Sequence, residues 1–150
     1  MKIETRYETD ARGNVIAVID PRAVKHESQW NEVDWLVEEK RATTASADGA
    51  PGLSYKTLFL YDANGNLTEL RRPFGDTGEE FTRERYEYGV LDELLVTRRE
   101  VDANQPEPDW VVQTRKYDPN LNLTLLTEPE QEKTLYVYDK RNLLESVTSG

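Results

Sequence analysis

The residues best placed to do chemistry are few. His26 stands beside Glu27 and Ser28, the residue types of a hydrolytic triad. A triad needs three groups brought together from separate elements, and no nucleophile-elbow pattern surrounds this one, so His26 reads as a solvated loop side chain. The neighbouring carboxylates Glu38–Glu39 and Glu79–Glu80 have the composition of a glycosidase acid–base pair, but 29 acids among 150 residues produce such neighbours by chance. Asp62, Asn64 and Asn66 copy the first three ligands of an EF-hand loop. The copy stops at Leu67, where a glycine must bend the loop, and at Pro73, where a bidentate glutamate is required. No catalytic residue, metal or cofactor follows from these patterns. Trp30, Trp35 and Trp110, with the tyrosine rows, supply rings able to stack on sugars; the competing reading is that rings at strand period pack within the sheet.

The elements that carry these residues are repeated. Phe59-Leu60-Tyr61-Asp62-Ala63-Asn64-Gly65-Asn66-Leu67 recurs as Tyr7-Glu8-Thr9-Asp10-Ala11-Arg12-Gly13-Asn14-Val15, as Tyr86-Glu87-Tyr88-Gly89-Val90-Leu91-Asp92-Glu93-Leu94, and as Arg115-Lys116-Tyr117-Asp118-Pro119-Asn120-Leu121-Asn122-Leu123. A fifth copy, Tyr136-Val137-Tyr138-Asp139-Lys140-Arg141-Asn142-Leu143, reads as one residue shorter in its turn. An aromatic-x-aromatic step puts both rings on one face of a strand. The aspartate then opens a turn by accepting backbone N–H groups, and glycine or asparagine tolerates positive φ. The next apolar residue starts the returning strand, so each copy is a β-hairpin. Repeats of this kind bury their apolar faces against their neighbours.

Asp10, Asp62, Gly89, Asp118 and Asp139 are 52, 27, 29 and 21 residues apart, so the first gap hides another unit. Asp34-Trp35-Leu36-Val37 parallels Asp109-Trp110-Val111-Val112 and is read as an incoming strand, its turn replaced by the small-residue stretch Thr44 to Gly52. Strands are predicted over 2–9, 14–20, 33–43, 54–61, 66–72, 81–88, 93–101, 109–117, 122–128, 133–138 and 142–148. Residues 22–30 are left with at most one helical turn.

Aromatic-x-Tyr-Asp-x-x-Gly-(Arg/Asn)-Leu resembles the signature of YD repeats, found in Rhs proteins, the C components of bacterial toxin complexes, and teneurins. The carriers are Tyr7, Asp10, Gly13, Phe59, Tyr61, Asp62, Gly65, Tyr86, Tyr88, Tyr117, Asp118, Tyr136, Tyr138 and Asp139. Departures at Thr9, Gly89, Asp92 and Leu121 predict altered turns. The resemblance implies an all-β fold of consecutive antiparallel hairpins in one curved, ribbon-like sheet, a partial β-shell. It further implies a non-enzymatic structural module whose partners are an encapsulated toxin or effector and the remaining shell repeats. The family's self-cleaving motif, Asp-Pro-x-Gly, is not matched by Asp20-Pro21-Arg22-Ala23 or Asp118-Pro119-Asn120-Leu121. The alternative function is an extracellular carbohydrate-binding or adhesion module using the aromatic rings.

Composition bounds the rest. One domain is expected over 1–150, with units of about 2–20, 33–72, 81–101, 109–128 and 133–148 and a flexible loop over about 44–53. The 19 basic and 29 acidic residues give a net charge of −10, which disfavours nucleic acid and anionic membranes as partners. No apolar run approaches a membrane span, and there is no cysteine. The chain begins inside one repeat and ends just after another, as an excised piece of a larger bacterial protein, secreted or at the cell surface, would. Bare edges over 2–9 and 142–148 predict self-association.

Overall fold

The computed structural model describes residues 3–42, 52, 54–75, 80–102 and 109–150. Every element among them is a strand: β1 (Arg6–Thr9), β2 (Val15–Ile19), β3 (Lys25–Trp30), β4 (Leu36–Ala42), β5 (Ser54–Tyr61), β6 (Leu67–Phe74), β7 (Glu80–Tyr88), β8 (Leu94–Glu100), β9 (Trp110–Tyr117), β10 (Leu123–Thr127), β11 (Lys133–Tyr138) and β12 (Leu144–Ser149). They form one open antiparallel sheet in chain order, β1 through β12. Among the described residues no helix is long and apolar enough to cross a membrane.

Three readings of the sequence need correction. Residues 25–30 are a strand, β3, rather than part of a helical turn; Lys-His-Glu-Ser-Gln-Trp lacks apolar alternation because Lys25, Glu27 and Gln29 are held by polar partners across the sheet, Glu8, Lys40 and Glu38. Asp34 and Trp35 do not open an incoming strand but close the turn between β3 and β4, and β4 is the outgoing strand. The hidden unit in the first gap is therefore the hairpin β3–β4, and its turn is Asn31–Trp35; most of the Thr44 to Gly52 stretch lies outside the described residues. The fifth copy is full length, since Leu143 belongs to the turn and Leu144 starts β12.

The chain divides into two compact units, one spanning Met1–Tyr61 and Leu70–Thr82, the other Asp62–Glu69 and Arg83–Gly150. In the first, cross-strand register sets Glu8, Ala17, Glu27, Lys40 and Lys56 in one row over β1 to β5. Alanine is the residue that fits here: Lys25 pairs with Glu8 at 3.0 Å and with Glu27 at 3.7 Å, and the aliphatic stems of such side chains close over a small neighbour. Ala17 is only 2% exposed. The opposite face carries the row Tyr7, Val18, His26, Arg41 and Tyr55, so His26 is a strand residue rather than a loop one.

The second unit alternates in the same way. Glu84, Tyr86 and Tyr88 are half-buried or buried on one face of β7, while Arg85 and Glu87 are exposed on the other. Burial is shallow, as a single layer requires. The buried acids are neutralised in place: Glu100 receives the Arg83 guanidinium at 2.8 and 3.1 Å, Glu84 receives Arg99 at 2.8 Å, and Glu69 receives Arg85 at 2.7 Å. Such pairing is what allows carboxylates into a thin core, since an unpaired buried charge is strongly destabilising. The Arg83 contact also lowers the pKa of Glu100, outweighing burial.

Candidate functional site

Eight of the connections share one backbone geometry. The N–H of the first turn residue bonds to the carbonyl four residues on, the N–H of the fourth bonds back to the first, and the fourth residue has positive φ; this holds for turns beginning at Asp10, Asp20, Asn31, Asp62, Gly89, Asp118, Glu128 and Asp139. It is a type I turn closed by a bulge at the left-handed residue. The departures at Thr9, Gly89, Asp92 and Leu121 thus leave the geometry unaltered, contrary to the expectation drawn from them.

The first residue holds each turn. Asp62 Oδ1 accepts the Asn64 and Asn66 N–H groups at 2.9 Å, and its Oδ2 accepts the Asn66 amide at 3.1 Å. Asp10 and Asp118 repeat this pattern with Asn14 and Asn122. Asp20 and Asp139 accept two backbone N–H groups each, and Asn31 does so uncharged, from Val33 at 3.1 Å and Trp35 at 2.9 Å. At Asp62 and Asp10 burial pushes the carboxyl up, yet the side-chain bond from asparagine and the backbone bonds hold it below the usual aspartate value. At Asp118 the Asn122 side chain leads the same lowering. Gly89 has no side chain, and the Glu93 carboxylate swings into the space a Cβ would fill and accepts the Leu91 N–H at 2.9 Å.

Neighbouring turns are joined in twos. Asn14 donates to Asp34 Oδ1 at 2.7 Å, with Arg12 at 3.3 Å. Asn64 and Asn66 both donate to Asp92 Oδ1, at 2.9 and 2.6 Å. Asn120 and Asn122 donate to Asn142 Oδ1 at 3.0 and 2.9 Å. In each pair the donor is the third or fifth residue of one turn, and the acceptor is the left-handed residue of the next. Asp34, Asp92 and Asn142 therefore occupy a glycine-type position because their oxygens close the joint; asparagine and aspartate tolerate that conformation better than other side chains. EF-hand ligation is thereby replaced by internal bonding of all three candidate ligands.

The aromatic before the turn reaches back one hairpin. Trp30 Nε1–H donates to the Val15 carbonyl at 2.9 Å, Tyr61 O–H to Leu36 at 2.9 Å, Tyr88 O–H to Leu67 at 3.0 Å and Tyr117 O–H to Leu94 at 3.0 Å. Each acceptor is the first residue of the preceding hairpin's returning strand. Burial raises the pKa of Tyr61; burial, reinforced by the Asp62 charge, raises that of Tyr88, so the phenols keep the proton they donate.

Of the residues singled out in the sequence, Phe59, Tyr136 and Tyr138 are half-buried in β5 and β11, and Tyr7 is 66% exposed on β1. Gly13 and Gly65 hold the left-handed position at φ 96° and 91°. All three tryptophans are half-buried: Trp30 serves as the strut above, Trp35 lies tilted at 5.4 Å from Tyr61, and Trp110 underlies Arg85 at 5.0 Å. Asn31, Glu93 and Asn142 carry no role in the sequence reading, Asp34 is placed there in a strand, and Asp92 is named only as a departure from the motif glycine. The signal for Asn31 was present, because an aromatic, a turn opener and an apolar residue five positions later occur in Trp30-Asn31 and Leu36 just as in Tyr61-Asp62 and Leu67.

No protein-family model and no curated protein sequence matches the chain. Solved structures do. The chain superposes on TcdB2–TccC3 with a TM-score of 0.56 at 15% identity, on TcdB2–TccC3 without its hypervariable C-terminal region at 0.55 and 16%, and on the Tc holotoxin pore of Photorhabdus luminescens at 0.53 and 16%. In each, 97% of this chain is covered against 9% of the other, so it spans about a tenth of their length. The chain thus resembles YD-repeat proteins of the toxin-complex kind in fold as well as in turn sequence.

Proposed function

We propose that the chain is a non-enzymatic wall module of an Rhs-like, toxin-complex-like protein, and that its work is to enclose an effector carried by the same assembly. The observation that carries this is the strut series Trp30, Tyr61, Tyr88 and Tyr117, which ties four successive hairpins, from β3–β4 to β9–β10, each to its predecessor by a side-chain bond. Ladder bonds alone let strands slip; an added bond at the same place in successive hairpins fixes register along a sheet without a deep core, which suits a wall. The Asp92-type joints do the same at the turns. The edges β1 and β12 are exposed along their whole lengths, and unpaired strands of this kind take up further repeats or a second copy.

Limited proteolysis of the complete parent protein tests the reading. The segment carried beside the repeats is expected to survive protease doses that digest the same segment expressed alone. Replacing Tyr61, Tyr88 and Tyr117 by Phe together is expected to make it cleavable. Equal digestion inside and outside the parent would falsify enclosure. For the edges, light scattering at rising concentration reports association, and a strict monomer removes the second copy as a partner.

A further inference from the structure

We propose that Asn64 is a self-modification site: its side-chain amide converts to a carboxylate by attack of the Gly65 nitrogen, the joint to Asp92 gates that attack, and the product cannot re-form the joint. This does not depend on the sheet being a wall. Asn64–Gly65 is the only Asn–Gly step in the chain. Asparagine is a thermolabile side chain, and glycine, with no Cβ, leaves its own backbone nitrogen open to close approach. Because nucleophile and target are neighbours in one chain, the step is unimolecular.

The chemistry needs water and nothing else. The Gly65 nitrogen gives up its proton to solvent base and bonds to Asn64 Cγ, ammonia leaves with that proton, and a cyclic imide joins the two residues. Water then adds to either carbonyl of the ring. One opening yields aspartate, the other isoaspartate, in which the main chain runs through the side-chain carbon. A water is consumed, ammonia is released, and nothing is oxidised or reduced. Asn64 is exposed at the tip of its turn, so water reaches it.

The closed joint holds both reacting groups. The Gly65 N–H donates to the Asp62 carbonyl at 3.2 Å, and the Asn64 amide donates to Asp92 Oδ1 at 2.9 Å. Once the Asp92 bond opens, the amide is free to turn toward Gly65. Conversion then bars the way back, because a carboxylate at position 64 has no hydrogen to donate and stands against the Asp92 carboxylate, where like charges repel. The Asn66 bond at 2.6 Å is left to hold the joint by itself. The Asp118 turn supplies an internal control. Asn120 donates to Asn142 Oδ1 at 3.0 Å, and the next N–H again bonds to the first carbonyl of the turn. That next residue is Leu121, whose side chain obstructs the approach that glycine allows.

The experiment is a time course of the purified chain in warm, mildly alkaline buffer, read by peptide mapping in a mass spectrometer with isoaspartate methyltransferase labelling of the product. Conversion is expected at Asn64 ahead of the other asparagines, with Asn120 unchanged over the same interval. Asp92→Ala should speed conversion at Asn64 several-fold, while Tyr88→Phe, which loosens the same hairpin without touching the joint, should speed it less. Leu121→Gly should open a second site at Asn120. The consequence is read in urea: Asn64→Asp should lower the midpoint, and adding Asp92→Asn should recover it, since an amide then faces a carboxylate again. Conversion at Asn64 no faster than at Asn120, equal rates in the parent chain and Asp92→Ala, equal acceleration by Asp92→Ala and Tyr88→Phe, or an Asn64→Asp chain as stable as its parent would each overturn the proposal.

Discussion

The Asp62–Asn66 and Gly89–Glu93 turns have one backbone and opposite side-chain chemistry. In the first, an aspartate at the opening position gathers the N–H groups and asparagines project their amides outward. In the second the opening position is empty, a glutamate at the far end supplies the missing oxygen, and an aspartate at the left-handed position receives the outward amides. Judged against a single motif, the second turn looks degraded. Judged against its neighbour, it is complementary: two identical donor turns would face amide to amide, with no acceptor between them. The working unit of this sheet is therefore a pair of unlike hairpins, which the pairs built on Asp34 and Asn142 repeat.

Acid should separate the two kinds of turn most strongly. Asp10, Asp20, Asp62, Asp118 and Asp139 all have carboxyl pKa values below the ordinary 3.8, so the stability they contribute is fully present above that value. It is lost as pH falls through the lowered folded value. Urea midpoints between pH 7 and pH 2.5 should fall, with the Asn64 and Asn66 amides losing hydrogen-exchange protection before those of Val33 and Trp35, which the uncharged Asn31 holds. Asp62→Asn should flatten the pH dependence at its own turn. Protection lost in unison at every turn would show that the carboxylates do not act locally.

Next in size is an exchange of chemistry between the turns. Gly89→Asp alone restores the motif on paper but sets a new carboxylate where that of Glu93 already lies, and should cost about 1–2 kcal/mol through like-charge crowding and competition for one N–H. Adding Glu93→Asn should recover most of that by recreating the Asp62 pattern. If the single variant is as stable as the parent chain in urea, Glu93 is not standing in for the missing aspartate.

The sequence exposed the hairpins because their signal is local: alternating rings, a turn opener, then an apolar residue. It hid β3, whose Lys25, Glu27 and Gln29 side chains pair across the sheet with Glu8, Lys40 and Glu38 around the buried Ala17, so the strand shows no apolar alternation. It hid the joints for a different reason. Asp92 meets Asn64 and Asn66, 28 and 26 residues away, and nothing within the Gly89 turn says why aspartate replaces glycine there. The struts fall between these cases. Tyrosine before the turn was conspicuous, but its partner, a backbone carbonyl one hairpin earlier, has no sequence identity to read.

The joint itself should respond to a graded pair of changes. Asp92→Ala keeps a Cβ at φ 62° and removes the acceptor of both asparagines, for a loss of about 1 kcal/mol. Asp92→Gly removes the same acceptor but suits the backbone, recovering part of the loss. Equal destabilisation would mean that the left-handed conformation carries no strain and that the hydrogen bonds alone select aspartate.

The smallest effect should come from the strut. Tyr88→Phe deletes the bond to the Leu67 carbonyl while keeping the ring, for about 0.5–1 kcal/mol, the net worth of one neutral hydrogen bond. Its diagnostic value lies at high pH. The phenol's pKa is raised above 10.0 by burial and by the Asp62 charge, so its contribution is intact below 10.0 and disappears as pH rises through the raised value. The phenylalanine variant should be less stable than the parent chain at pH 8 and should lose less on going to pH 11. A parallel fall of both chains would mean that the hydroxyl serves only solubility and that ring packing alone joins the Gly89 hairpin to the one before it.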